Sequence, residues 1–193
     1  IGATENALET EITTLVASVT GRGDVTIAEN DAIDLASVVT SDGSITIEAG
    51  GALTATRVDS SGTDDDSNDI ELSTTAGDIA VVSITAGSAN DVTLTAAGEI
   101  NEDGAPSTLV AADELTASAT GGITLDTKVA SVDLASTVGG SIDIDESDAI
   151  DLSRVTTADG GINVEAGGEL TATHEETSAT DDGTNGIELS TTA

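Results

Sequence analysis

The 193-residue chain contains no Cys, Met, Phe, Trp or Tyr, so it has neither the aromatic side chains that usually supply much of a globular core nor any disulfide. Its 37 acidic residues against 4 basic ones give a formal net charge of −33, which disfavours nucleic acid and anionic membrane surfaces as partners. No apolar run approaches the length of about 20 residues that a membrane span needs, so we expect no membrane insertion.

Short segments of apolar–polar–apolar alternation recur along the chain, and this period of two is typical of strands with one buried face. They cover residues 25–27, 33–35, 45–47, 53–55, 70–72, 79–81, 92–94, 115–117, 123–125, 132–134, 142–144, 150–152, 162–164, 170–172 and 187–189. The segments come in pairs, a pair returns after about twenty residues, and glycines mark the corners between strands. We therefore predict an all-β fold, a right-handed parallel β-solenoid with coils of about twenty residues.

Pairing the segments predicts two inward columns of apolar side chains. The first column contains Val25, Ile27, Ile45, Ile47, Ile70, Leu72, Val92, Leu94, Ile142, Ile144, Ile162, Val164, Ile187 and Leu189. The second contains Ile33, Leu35, Leu53, Ile79, Val132, Leu134, Ile150, Leu152 and Leu170. Of the outward residues, we expect Asp133, Asp151 and Thr171 in one column and Thr124, Asp143, Asn163 and Glu188 in the other.

A longer repeat is superimposed on the coils. Residues 148–152 repeat 31–35, residues 165–173 repeat 48–56 with one change, and residues 187–193 repeat 70–76, each at an offset of 117. One continuous solenoid from 1 to 193 would then hold a partial copy at 1–22, a complete copy at 23–139 and a partial copy at 140–193. We expect about five coils per copy, polar insertions on one side of the rod, and further copies in the parent chain.

An alternative is a pair of immunoglobulin-like sandwiches, because the repeat length is close to the size of that domain. Such domains depend on a buried aromatic residue, and this chain has none. The acidic composition is also typical of disorder, but here the acids alternate regularly with Ile, Val and Leu. We therefore favour the solenoid.

Several segments resemble the repeats of filamentous-haemagglutinin-like giant exoproteins. These are 1–10, 15–18, 23–27, 98–101, 112–127 and 140–144, which include the runs ADELTASATGGITLDT and GSIDI. The resemblance implies a secreted bacterial surface fibre or adhesin with a β-helical shaft. It also implies an extracellular or cell-surface location, self-association end to end or laterally, binding to a host or cell-surface receptor, and no catalysis.

Two acidic runs occupy the same place in successive repeats. Asp64, Asp65 and Asp66 form one run, and Asp181 and Asp182 form the other. Clustered carboxylates suit Ca²⁺, which takes six to eight oxygen ligands, although neither run has the ligand spacing of an EF-hand. The alternative function is therefore a Ca²⁺-dependent extracellular binding module, and the competing interpretation of these runs is a solvated acidic loop. Calcium is the one cofactor that we consider.

Arg22, Gly23 and Asp24 form an integrin-type tripeptide, which predicts a receptor contact. Its counterpart in the next copy is 139–141, Gly-Gly-Ser, so the repeat does not keep it, and a simple corner is the competing interpretation. His174 is the only histidine and replaces Arg57 of the other copy. Without aromatic platforms for sugar rings, we predict no catalytic residues.

Overall fold

The computed structural model describes residues 1–3, 6–64, 66–102, 109–177 and 185–192. Over these ranges the chain contains no helix, and hence none that could cross a membrane. The strands there are β1 (Leu8–Thr10), β2 (Thr14–Arg22), β3 (Val25–Glu29), β4 (Ile33–Asp42), β5 (Ile45–Ala49), β6 (Leu53–Ala55), β7 (Val58–Asp59), β8 (Ile70–Thr74), β9 (Ile79–Val81), β10 (Ser83–Thr85), β11 (Val92–Ala96), β12 (Ile100–Glu102), β13 (Leu109–Ala119), β14 (Ile123–Ser136), β15 (Ile142–Glu146), β16 (Ile150–Thr157), β17 (Ile162–Ala166), β18 (Leu170–Ala172), β19 (Glu175–Thr177) and β20 (Ile187–Thr191).

These strands pair in parallel with strands of the next coil, and the pairings build three faces. Face A stacks Ile27, Ile47, Leu72, Leu94, Ala117, Leu134 and Val155. Face B stacks Ile33, Leu53, Ile79, Ile100, Ile123, Ile142, Ile162 and Ile187. Face C stacks Ala17, Val38, Val58, Ile84 and Val110. The predicted parallel β-solenoid is confirmed, and the immunoglobulin-like alternative is wrong.

The core is the apolar interior that the three faces enclose, and each face contributes one column of side chains to it. Inward residues alternate with outward ones along most strands, and in β5 the side chains of Ile45, Ile47 and Ala49 are completely buried. Glycine is required where corners of adjacent coils touch: a Cβ on Gly50 would overlap the carbonyl of Asn30 in the coil before it. Gly77 has a φ of +88°, which a residue with a side chain rarely adopts.

The two predicted inward columns are corrected to three. Val38, Val58, Ile84 and Val110 form the column on face C that the alternation did not reveal, because most of these strands contribute a single inward apolar residue. The first predicted column is also mixed. Val25 and Ile45 lie on face A, whereas Ile142 lies on face B.

The reason for this mixing is the length of chain in each coil. Five coils lead from Ile33 to Ile142 on face B and take 109 residues (142 − 33). The residue 117 positions after Ile33 is Ile150, which follows the face B strand β15 and precedes the face A half of β16, and so lies on face C. An interval of 117 residues therefore spans five coils and about one third of a coil, a modest correction to the expected number.

The outermost described coil departs from the predicted core. Ile187 and Leu189 were expected inside, but they are 46% and 36% exposed, and Leu170 is only partly buried. Within the described ranges, β20 pairs with β17 alone, so no coil covers its other side. Burial in a solenoid needs a neighbouring coil on both sides.

Candidate functional site

The most regular use of polar side chains in this molecule is at the corners, where carboxylates accept backbone N–H groups of an adjacent coil. Asp24 Oδ1 accepts the N–H of Ser44 at 3.0 Å, and Asp69 Oδ1 accepts the N–H of Asp91 at 3.0 Å. The same contact joins Asp78 to Glu99 and Asp91 to Glu114. A corner leaves backbone donors outside the strand ladder, and these carboxylates satisfy them.

The predicted receptor tripeptide is one of these corners, between β2 and β3. Arg22 Nε donates to Asp42 Oδ2 at 2.7 Å in the next coil, with the arginine side chain 85% exposed. Asp24 holds Ser44, and 117 residues later Ser141 Oγ accepts the N–H of Gly161 in the same way. A serine thus fills the corner role of Asp24 in the other copy. The receptor role of Arg22, Gly23 and Asp24 stays a prediction.

The acidic loop at 61–67 is tied to the next coil through Asp64. Its Oδ2 accepts the hydroxyl of Ser88 at 2.6 Å, and its Oδ1 accepts the N–H of Ala89 at 2.9 Å. The hydrogen bond from Ser88, followed by that from Ala89, holds the pKa of Asp64 below its ordinary value. Both carboxylate oxygens therefore already have a structural role.

Of the other predicted calcium ligands, the structure describes only one. Asp65, Asp181 and Asp182 lie outside the described residues. Asp66 is described and exposed. In the part of the chain that the structure describes, no three acidic or histidine side chains form a group suited to a metal ion. Calcium at the two acidic runs stays a prediction.

The base of the acidic loop is a buried hydrogen-bond cluster. Ser60 Oγ donates to the carbonyl of Asn68 at 2.5 Å, and the Oδ1 of the fully buried Asn90 accepts the N–H of Asn68 at 2.9 Å. The corresponding bond 117 residues later runs from Thr177 Oγ1 to the carbonyl of Asn185 at 3.2 Å. Both insertions are thus closed by an equivalent hydrogen bond.

The strands that flank these two insertions lie at different corners of the rod, which differs from the expectation of one side. The first connects β7 on face C to β8 on face A. The second connects β19 on face A to β20 on face B. The extra third of a coil in each interval of 117 residues moves the equivalent insertion to the next corner.

Two buried glutamates were missed by the sequence analysis. Glu29 Oε2 accepts the hydroxyl of Thr10 at 2.6 Å and the N–H of Ile12 at 3.0 Å, both in the preceding coil. Glu146, 117 residues later, accepts the N–H of Val129 at 3.0 Å. Each ends a strand at an inward position and is at most 4% exposed. An acidic residue at the fifth position of a strand whose first and third residues are apolar is the signal that identifies them.

Acidic side chains also stack on the outside of face B. Asp126, Asp145 and Glu165 are in register in successive coils. Burial, and next the charge of Asp145, raises the pKa of Asp126. Beside them, the predicted column of Thr124, Asp143, Asn163 and Glu188 is confirmed.

An amide relieves the repulsion in this confirmed column. Asn163 Nδ2 donates to Asp143 Oδ1 at 2.8 Å, so one neighbour of this carboxylate is a donor and not a second charge. The other predicted column is wrong at Asp133, which stacks on Arg154, although Asp151 and Thr171 do pair.

The remaining polar residue of interest is His174. Its Nε2 lies 3.5 Å from Glu176 Oε2 and both side chains are more than half exposed. His174 is therefore a solvent-facing residue. Comparison of the chain with protein-family models, with curated proteins and with solved structures finds no match.

Proposed function

We propose that this chain is a shaft segment of a secreted, repetitive bacterial surface fibre, with a structural and not a catalytic role. The observation that carries the proposal is the unbroken ladder of face B, which stacks eight isoleucine or leucine side chains from Ile33 to Ile187 in successive coils. With about 4.8 Å between strands, seven steps make a rod about 34 Å long. A second support is the use of corner carboxylates, such as Asp24 and Glu29, to join one coil to the next.

A shaft has to carry tension, and the coil-to-coil contacts define how it should yield. Pulling the chain by its two ends in a force spectrometer should release about one coil at a time. Each release should add about 70 Å of contour length, because a coil holds about twenty residues at about 3.5 Å each. A single release of the whole chain at low force would contradict the shaft role.

The cellular part of the proposal needs its own experiment. Antibodies raised against the purified chain should label filaments on intact cells of the source organism, and protease treatment of those cells should remove the label. Label that appears only after the cells are opened would overturn the extracellular location.

The calcium-dependent module makes a different prediction. If ions at Asp64 to Asp66 held the loops, CaCl₂ would raise the melting temperature more than NaCl at the same ionic strength. Under the shaft proposal, CaCl₂ and NaCl at the same ionic strength should change the melting temperature equally, because Asp64 already accepts hydrogen bonds from Ser88 and Ala89. Circular dichroism with and without a chelator is the measurement.

A further inference from the structure

Part of face A carries almost no net charge, although the chain has a formal charge of −33. We call this part the neutral face and define it by the outward residues of five successive coils. One column is Glu71, Thr93, Thr116, Asp133 and Arg154, and the other is Ser73, Thr95, Ser118, Ala135 and Thr156. Two acids and one base give these ten residues a net charge of −1. Asp133 and Arg154 also lie 3.7 Å apart as an ion pair.

The corner beside the neutral face contains two hydrogen-bonded threonines and an exposed valine, next to the acidic residues Glu99 and Asp159. Thr120 Oγ1 donates to the carbonyl of Ala97 at 2.5 Å, and Thr137 Oγ1 donates to the carbonyl of Ala119 at 3.1 Å. Val138 follows on the same corner and is 71% exposed.

The order of residues on the neutral face is complementary to itself when reversed. Thr116 and Ser118 are in the middle coil, with two coils on either side. A second copy in the antiparallel direction places its Arg154 opposite Glu71, and this pair occurs twice by symmetry. It also places its Thr95 opposite Ala135, where a hollow of about 280 Å³ has Ala135, Thr137, Arg154, Thr156 and the acidic Glu176 in its lining.

We propose that the neutral face is an isologous docking surface for a second copy of this chain, with the two rods antiparallel. The distribution of charge on the rod favours a second copy of the chain as the partner. A cationic partner is attracted to the acidic corners, whereas a second acidic rod is repelled everywhere except at a surface of low charge. Opposed pairs of Glu71 and Arg154 then determine the direction of the two rods.

The expected interaction is weak and strengthened by salt. Five coils span about 19 Å, so the contact is smaller than a standard protein interface and the dimer is transient. Asp69, Asp91 and Asp113 line the opposite corner of face A and repel their counterparts in the second copy. At about 1 M salt the screening length is about 3 Å, which removes most of this repulsion.

Cysteine crosslinking tests the contact directly, because the chain has no native cysteine. In about 1 M NaCl, Ser118→Cys should form a disulfide-linked dimer at least about ten-fold faster than Thr124→Cys, since it places the two sulfurs at the symmetry axis within disulfide range. Thr124 is the matched control, an outward and equally half-buried residue on face B. Equal rates for the two variants would overturn the proposal.

The direction of pairing needs a second pair of variants. A mixture of Thr95→Cys and Ala135→Cys proteins should crosslink faster than Thr95→Cys alone, whereas a parallel dimer would give no such preference for the mixed pair. Glu71→Lys and Arg154→Glu should each slow the crosslinking of Ser118→Cys, and the two changes together should restore it. Failure of the restoration would exclude this charge pairing and the antiparallel arrangement with it.

This pairing deepens the proposed function, since it supplies the lateral contact of a fibre, but the two can fail separately. Force spectroscopy measures a single rod and does not require a dimer. Normal stepwise unfolding together with equal crosslinking rates would leave the shaft and remove only the docking surface.

Discussion

The corners around Glu29 and Glu146 have the same hydrogen-bond design but opposite electrostatic character. In each, the carboxylate accepts one backbone N–H from the preceding coil and another from the residue two positions further along the chain, Asp31 or Asp148. Burial raises the pKa of Glu29, but the hydrogen bonds, of which that from Thr10 is the strongest, outweigh it and leave the pKa below its ordinary value. Burial dominates at Glu146 and raises its pKa despite the N–H groups of Asp148 and Val129.

The surroundings of the two carboxylates explain this difference. Around Glu29, the neighbours Leu8 and Ile12 are 48% and 37% exposed, so water reaches the first coil. Around Glu146, the equivalent residues Leu125 and Val129 are no more than 2% exposed. The fold therefore favours the ionised form of this glutamate where the corner is hydrated, and disfavours it where further coils enclose the corner. The number of coils packed around a corner decides whether the pKa of its glutamate is lowered or raised.

The largest expected effect comes from placing a charge in the enclosed region. Ile144→Asp should lower the free energy of unfolding by about 4 kcal/mol or more, because Ile144 is 1% exposed and an unpaired carboxylate there has no donor. Ile27, the equivalent residue 117 positions earlier, is 2% exposed but lies at the more open end. Ile27→Asp should therefore be less damaging, with the loss of hydrogen-exchange protection confined to the first coils.

The neighbouring outward residue serves as the control. Asp143→Asn should change the stability by less than about 0.5 kcal/mol, as is usual for surface positions. Urea unfolding monitored by circular dichroism measures all three variants. Comparable losses at Ile144 and Asp143 would mean that the register of β15 is wrong.

The glutamates themselves give the next largest effect. Glu29→Gln replaces an acceptor oxygen by an amide NH₂ and should cost about 1–2 kcal/mol at pH 7. Glu146→Gln loses the same acceptor but also removes an enclosed charge, so its cost should be clearly smaller. If the two variants lost the same free energy of unfolding at pH 7, enclosure by further coils would not change what the glutamate contributes to stability.

The effect of pH should be opposite at the two corners. The lowered pKa of Glu29 contributes stability above its unfolded pKa, and this stability is lost as the pH falls through the folded pKa. The raised pKa of Glu146 makes its ionised form unfavourable in the fold, so protonation removes a penalty as the pH falls from the folded pKa to the unfolded pKa. As the pH falls from 7 to below the folded pKa of Glu29, Glu29→Gln should therefore approach the wild-type melting temperature, whereas Glu146→Gln should fall further below it. Parallel melting curves at every pH would contradict this interpretation.

A change in salt concentration should give the smallest effect. Added salt should stabilise the enclosed region around Glu146 more than the open region around Glu29. Next to Glu146, the outward acids Asp126, Asp145 and Glu165 stack without interruption, whereas Glu48 has Ala28 and Ser73 as its stack neighbours. Raising NaCl from low concentration to about 1 M should increase hydrogen-exchange protection of β14, β15 and β17 more than that of β3 and β5. Equal gains in the two regions would mean that the stacked acids do not repel each other measurably.

Many strands, the parallel stacking and most of the core follow from the sequence, because they depend on local chemistry. Alternation at Ile45, Ile47 and Ala49 reports which side chains face inward, whatever the rest of the chain does. The identical segments 117 residues apart likewise need no structure to be found. The column of Asp143 and Asn163 could be predicted for the same reason.

The third face, the rotation of the repeat and the roles of the carboxylates were decided by the tertiary structure. Whether Ile142 stacks in the ladder of Val25 or of Ile33 depends on the total length of chain in all the corners between them, and each short strand on face C alters that total. The pKa values of Glu29 and Glu146 differ although their local sequences match, because enclosure depends on coils that are distant in sequence. The hydrogen bonds that Asp64 accepts from Ser88 and Ala89, more than twenty residues away, depend on the tertiary structure in the same way. Alternation is a property of neighbouring residues, whereas contacts between coils arise from the accumulated length of chain between them.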